Sequence, residues 1–305
     1  MDFKKKFNVG LCLNTKLDEF SRFLDDYHEY IEEIYFSLPL GNKFQTRFVI
    51  AKQFQSEKTV RMFWELLPII RSHGIKLELV LNSYELGAED VLRARETLDS
   101  HEIKCDSVCC LDSYYPAVRE SFPDASLICS YNTGIRTMDK LRGISNEYDA
   151  FVIGNALIRE REAPEYIRSI GKKTILLINN GCSFNCTWCR NKHECKETFD
   201  KNLKEHSAEY LYAKQSILPC ELRNGTIDPE LYDMFKISTR SSDVRYLRHC
   251  IDSYISNNAA SYLKRSKRNL GLWGRLGHFW PRFYFMNTKK ILEYKKEITG
   301  NDAEY

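Results

Sequence analysis

Short β-rich runs alternate with longer helix-like stretches through roughly the first 250 residues, and this alternation limits the fold more than any other feature of the chain. The runs are Phe7–Leu13, Glu33–Leu38, Lys76–Leu81, Ser107–Leu111, Ser126–Cys129, Ala150–Ile153, Lys173–Ile178 and Phe235–Ile237. After the first run, helical spacing puts Phe20, Phe23, Leu24, Tyr27 and Ile31 on one face. Further helices are predicted over Thr59–Arg71, closed by Gly74, over Ala88–Ser100 and over Asp243–Ser256. The runs are mostly apolar, as expected for parallel strands buried on both faces. Eight strand–helix units in about 250 residues predict an α/β chain folded as a (β/α)8, TIM-barrel-like cylinder. An open doubly wound sheet is the competing arrangement. The reading divides the chain into a barrel over residues 1–257 and a basic, aromatic C-terminal extension over 258–305. No internal repeat and no low-complexity tract is evident.

A barrel makes a statement about location, because the C-terminal ends of its strands supply the active-site residues. Those ends carry Asn14, Asn82, Asp112, Asn132, Asn155, Asn179, Asn180 and Arg240. Asn and Asp also form turns, and any one of them taken alone reads as a turn residue. Their recurrence at strand after strand lifts the set above that reading. Asn82, Asp112, Asn155 and Arg240 are therefore the candidate catalytic residues, with Asn179 and Asn180 as candidate hydrogen-bond donors to a cofactor. The planar fork of Arg240 suits a carboxylate or phosphate, the plain alternative being a surface ion pair.

The connection from the seventh to the eighth run, Gly181 to Met234, is too long for a structureless loop without a function. A helical piece is expected over Ala208–Ala213. The connection opens with Gly181-Cys182-Ser183-Phe184-Asn185-Cys186-Thr187-Trp188-Cys189, three cysteines in C-x3-C-x2-C spacing. Cys195 follows, and Cys220 lies further on. A loop with three thiolates can wrap a corner of a cubane 4Fe–4S cluster. A structural zinc site and unrelated buried thiols are the alternatives. Cys182, Cys186 and Cys189 lead as metal ligands, and Cys195 or Cys220 supplies a fourth. A lone loop histidine such as His193 reads as a solvated side chain. Cys12, Cys109, Cys110, Cys129 and Cys250 read as small buried hydrophobes, and Cys105 as a surface or loop thiol. Between the second and third runs, Pro39–Glu57, with Arg47, Lys52 and Gln53, reads either as a lid or as a solvated excursion.

Two resemblances attach to these residues. C-x3-C-x2-C with an aromatic, Trp188, before the third cysteine resembles the radical S-adenosylmethionine signature. That resemblance implies three ligated irons and a fourth iron open to S-adenosylmethionine. In that family, however, the motif follows the first strand of the barrel, and here it follows the seventh. The second resemblance spans roughly residues 7–256 and is strongest over Leu177–Tyr254. The strand ending in Asn179-x-Gly-Cys182-x3-Cys186, the acidic Ile227-Asp228-Pro229-Glu230-Leu231 and then Phe235-Lys236-Ile237-Ser238-Thr239-Arg240-Ser241 resemble the collagenase-like peptidase family. That family includes the oxygen-independent ubiquinone and RNA hydroxylation proteins. The resemblance implies a barrel holding a 4Fe–4S cluster on four cysteines, the fourth of them distant as Cys220 is. It also implies redox or hydroxylation chemistry, more than proteolysis, on a small molecule or RNA. Thr239 stands where relatives carry Gly, Thr187 where many carry Pro, and Cys189 where many carry a basic residue. The residues themselves offer a protease little: no Ser–His–Asp or Cys–His arrangement stands out, and there is no His-Glu-x-x-His helix.

The chain has 305 residues, enough for one large core. Its charged start, Met1–Lys6, leads into no long apolar segment, so neither a signal peptide nor a membrane span is expected. Eleven cysteines in such a chain are expected to be thiols or metal ligands in the reducing cytoplasm. A net charge of +3 does not by itself imply nucleic acid. Lys264–Arg282, however, carries six Lys or Arg and no acid. Over 261–285 these alternate with Trp273, Phe279, Trp280, Phe283 and Phe285. That mixture suits RNA, a membrane surface or a partner protein. A cap over the bottom of the barrel is the plain alternative, and Gly271, Gly274, Gly277 and Pro281 argue against one continuous helix. The third reading of the whole is accordingly a metal-stabilised, non-enzymatic binding scaffold.

Overall fold

The computed structural model describes residues 2–44, 53–154, 157–179, 205–238, 243–265 and 286–300. Eight parallel strands close into a barrel in sequence order, the first pairing with the last. They are β1 Phe7–Gly10, β2 Ile31–Phe36, β3 Lys76–Leu81, β4 Ser107–Cys110, β5 Ser126–Cys129, β6 Ala150–Ile153, β7 Lys173–Leu177 and β8 Met234–Ile237. The helices between them are α1 Leu17–Tyr27, α2 Glu57–Ser72, α3 Ala88–Ser100, α4 Tyr115–Ser121, α5 Met138–Ile144 and α6 Glu162–Ser169. Within the connection from β7 to β8 come α7 Ala208–Gln215 and α8 Pro219–Arg223. After β8 come α9 Val244–Ile255 and α10 Thr288–Thr299. The chain is a (β/α)8 barrel, and the open-sheet arrangement is ruled out by the β1–β8 pairing.

Successive strand residues face opposite sides, and the core divides accordingly. Tyr35, Val80, Cys109, Ile128, Val152, Ile175 and Leu177 pack together inside the cylinder. Their neighbours, among them Ile34, Leu79, Val108, Leu127, Phe151 and Leu176, face the helices in one continuous outer layer. Helix α1 turns Phe20, Phe23 and Leu24 into that layer, and α2 adds Phe63, Leu66, Leu67 and Ile70. Truncating a fully buried ring such as Phe63 or Phe151 to Ala would cost about 3–5 kcal/mol. Helix α9 begins where Asp243 accepts a hydrogen bond from the Tyr246 N–H at 3.0 Å, and it ends at Ser256, so the predicted limits are its two caps.

The N-terminal ends of the strands are fastened by a device that recurs three times. Asp106, Asp149 and Asp233 each stand just before an even-numbered strand. Each carboxylate accepts the backbone N–H at or near the start of the preceding strand: Leu77 at 2.8 Å, Leu127 at 2.8 Å and Thr174 at 2.7 Å. Arg71 pairs with Asp106 at 2.8 Å and Arg119 with Asp149 at 3.0 Å. The three carboxylates thus join β3 to β4, β5 to β6 and β7 to β8.

The strands are buried and mostly apolar, as expected, but the inner faces of β1–β4 and β8 also carry the buried polar residues Asn8, Glu33, Glu78, Ser107 and Lys236. Cys105 is a loop thiol as expected, but a buried one rather than a surface one. Among the described residues no helix is long and apolar enough to cross a membrane.

Candidate functional site

The C-terminal mouth of the barrel gathers part of the predicted polar ring. Asn82 follows β3, and its side-chain amide donates to Ser130 Oγ, beyond β5, at 3.3 Å. Asn132 donates back to the Asn82 carbonyl at 3.2 Å, and the Tyr84 hydroxyl donates to the Asn132 carbonyl. The ends of β3 and β5 are thereby joined across the end of β4. Ser130 also caps the tight turn Tyr131–Thr133, which closes on Gly134 in the left-handed region at φ +68°. Tyr131 packs against the inner core. A Cβ on Gly154, after β6, would lie 2.8 Å from Tyr131 Cε2, so only glycine at 154 lets the ring settle there.

The other ring members have their own anchors. Asp112, beyond β4, pairs at 3.6 Å with Lys140 of α5, whose ammonium also donates to the Thr133 carbonyl at 2.8 Å. Asn179, beyond β7, accepts the backbone N–H of Ser238, beyond β8, at 2.6 Å. Asn14 accepts from the Gln53 amide at 2.6 Å. Asn82, Asp112, Asn132 and Asn179 are half-buried. Asn155, Asn180 and Arg240 lie outside the described residues, as do Arg47 and Lys52 of the second connection and residues 266–285 of the basic aromatic segment. The mouth thus offers amide and hydroxyl groups over an apolar floor that includes Val152 and Leu177. Groups of this kind can orient a polar ligand through hydrogen bonds.

Of the candidate metal ligands, Cys182, Cys186, Cys189 and Cys195 lie outside the described residues. Cys220 sits in α8, buried in the outer core layer. Burial first, and Glu221 beside it second, push its thiol up to about 12. Among the described residues no three or more His, Cys, Asp or Glu side chains gather in a way that would hold a metal ion.

Beneath the mouth lies a cluster that the sequence reading missed. Asn8 Nδ2 donates to Glu33 Oε2 at 2.8 Å and to Glu78 Oε2 at 2.5 Å. Ser107 Oγ bonds Glu33 Oε1. Lys236 Nζ lies 2.6 and 2.7 Å from the two oxygens of Glu78 and 4.2 Å from the centre of the Tyr35 ring. The Tyr35 hydroxyl donates to the Ile237 carbonyl at 2.8 Å. Burial, and then the Glu78 carboxylate, push Glu33 up to about 8. Burial pulls the Lys236 ammonium down, but Glu78 and its other neighbours outweigh this and leave it above its ordinary range. A carboxylate at an inward register position in each of two neighbouring strands, Glu33 and Glu78, was the signal available.

A second buried ionic group ties the last helix to the β7–β8 connection. Lys295 of α10 lies 2.8 Å from Glu221 of α8, and Arg159 lies 2.6 Å from the other oxygen of Glu221. Both Lys295 and Arg159 donate to the Ser216 carbonyl. Tyr294 meets Tyr210 of α7 edge to face at 5.4 Å between ring centres.

Fold and mouth together define the chain as a (β/α)8 barrel protein. No family model matches the sequence, and no curated protein does. Among solved structures, a U32 peptidase is similar at 15% identity and a TM-score of 0.44, over 78% of this chain and 94% of its own. A mutant tryptophan synthase alpha-subunit from Pyrococcus furiosus is 10% identical with a TM-score of 0.43, over 90% of this chain and 100% of its own. An N-acetylneuraminate lyase from Proteus mirabilis is 10% identical with a TM-score of 0.37, over 97% of this chain and 98% of its own. Likenesses this distant bear on neither substrate nor mechanism.

Proposed function

We propose that this chain is an iron–sulfur enzyme of the collagenase-like peptidase family, acting by redox or oxygen-independent hydroxylation chemistry on a small molecule or RNA in the reducing cytoplasm. The observation that carries the reading is where the cysteine run starts. Strand β7 ends at Leu177, and Asn179 is bonded beside the end of β8 at the mouth. Cys182 follows Asn179 by three residues, a tether no longer than about 11 Å. Sulfur donors in C-x3-C-x2-C spacing fit a cubane cluster at that rim.

Cys182, Cys186 and Cys189 would hold the cluster. For the fourth position the proposal adopts Cys195 over Cys220, because the Cys220 side chain is buried among the apolar residues of the outer layer. Such a cluster supplies electron transfer or a substrate-binding iron. The chain's own residues do the rest. Asn82, Ser130 and Asn132 orient the substrate by hydrogen bonds, Asp112 adds a carboxylate steadied by Lys140, and Asn155 joins them as a polar contact to the substrate. Asn179 and Asn180 donate toward the sulfurs, and Arg240 binds an anionic group of the substrate. Residues 261–285 form the surface for RNA, a partner protein or a membrane.

Anaerobic purification with iron and sulfide analysis tests this. About four irons and four sulfides per chain are expected, lost in Cys182→Ala and kept in Cys220→Ala. Zinc without sulfide would overturn the reading in favour of a metal-stabilised scaffold. Release of 5′-deoxyadenosine from added S-adenosylmethionine under reduction would replace it with radical chemistry, which the C-x3-C-x2-C spacing and Trp188 favour.

A further inference from the structure

The interior cluster contains two carboxylates and one ammonium, and its hydrogen bonds divide the partners unequally. Glu78 has the cation: both of its oxygens lie within 2.7 Å of Lys236 Nζ. Glu33 has only neutral partners, Asn8 on one oxygen and Ser107 on the other. Asn8 Nδ2 has two protons, and they go to Glu33 and Glu78. With every group ionised, the interior would hold one uncompensated negative charge, and two carboxylates would share a single amide. Buried charge without a partner is among the costliest arrangements a fold can contain.

We propose that the barrel interior holds one structural proton, kept on Glu33 as an un-ionised carboxyl bonded to Ser107 and Asn8, which makes the Glu33–Glu78–Lys236 cluster neutral and sets the fold to lose stability as pH rises above the ordinary carboxylate range. The proton belongs to the pair of carboxylates, and Lys236 fixes it on Glu33 by claiming Glu78. On unfolding, Glu33 becomes an ordinary carboxylate and its proton passes to solvent.

The surroundings agree from each side. Strand β3 presents Glu78, β8 presents Lys236, and β4 presents Ser107 and Cys109. Asp106, just before β4, adds a further negative charge that opposes ionisation, while Lys76 and the Cys105 thiol lie within electrostatic reach at the N-terminal ends. On β2 itself Tyr35 stands above, and Glu32 pairs with Lys76 on the outside. Lys236 is the cation that favours an ionised Glu33, but it is engaged by both oxygens of Glu78 and is outweighed by burial and the Glu78 charge, while Lys76 is engaged by Glu32. The rise of the Glu33 carboxyl to about 8 has burial and Glu78 as its leading causes.

The sign follows from that rise. A carboxyl raised in the folded state contributes fully below its ordinary range, and its contribution is lost as pH climbs toward about 8. In protein carrying carbon-13 at its glutamate carboxyls, one resonance is expected to keep the un-ionised shift at about pH 7 and to be missing from Glu33→Gln. From about pH 5 to pH 7, the unfolding constant of the unmodified protein is expected to rise about tenfold more per pH unit than that of Glu33→Gln. Equal slopes, or every glutamate resonance at the ionised shift at about pH 7, overturn the proposal. Should Glu33→Gln fail to fold, the resonance in the unmodified protein decides alone. Neither measurement depends on iron, so its outcome is separate from that of the proposed function.

Discussion

Lys295 Nζ lies 2.8 Å from Glu221 Oε2, and solvent reaches neither side chain. The pair joins the last described helix to the connection that carries the cysteines. Burial pulls the Lys295 ammonium down, while Glu221 opposes the fall. Replacing the lysine leaves Glu221 with Arg159 as its one paired cation, beside the Leu218 N–H at 2.6 Å, and the Ser216 carbonyl with one donor fewer. Lys295→Met is expected to cost about 3 kcal/mol in urea unfolding, with the midpoint moving and the slope unchanged.

Lys236 and Glu78 should be strongly coupled. Lys236→Met leaves a buried carboxylate without its cation and is expected to destabilise by about 3–5 kcal/mol. Adding Glu78→Gln removes the stranded charge. The double variant is expected to recover at least half of the loss, a coupling that a double-mutant cycle reads directly.

The aspartates at the strand starts give a local prediction. Asp149→Ala removes a charged acceptor from the Leu127 amide and is expected to cost about 1.5–3 kcal/mol. Hydrogen exchange should accelerate first at Leu127, with the amides of Leu77 and Thr174 unaffected, because each has its own aspartate.

At the mouth, Gly154→Ala drives a methyl group into the Tyr131 ring. A loss of about 1–3 kcal/mol is expected, and Tyr131→Leu in the same chain should relieve most of it. If the alanine variant proves as stable as the original, the close packing of the ring on Gly154 is wrong.

Thiol reactivity separates the buried cysteines from the cysteine run. Burial raises the thiols of Cys105, Cys220 and Cys250 to about 12 and those of Cys110 and Cys129 also upward. At about pH 8 these five should resist alkylation in the folded chain and react after denaturation, as mass spectrometry of the digest would report.

The barrel was legible because apolar runs and helical spacing are local signals. The limits of Lys76–Leu81, Ser126–Cys129, Ala150–Ile153 and Ala88–Ser100 agree with the structure at both ends. Helices α4, α5 and α6 were not anticipated: two turns offer too few apolar positions for a period to emerge. At the mouth, the recurrence of Asn and Asp led to Asn82 and Asn132, which do meet. Asn179 instead holds the end of β8, and Asn14 is engaged by Gln53. Glu33 and Glu78 stayed hidden for a physical reason. A single charge in an apolar run looks like a strand's outer face, and the partners that make it tolerable inside lie on other strands. Lys236, on the last strand, meets Glu78 only after the cylinder has closed.

The seam between β1 and β8 sets Phe7 beside Phe235. A chain leaving the ribosome therefore has its opening stave long before the one that completes the hoop, and until then the sheet is an unfinished curl with two raw edges. The cysteine run is synthesised during that interval, ahead of the final stave.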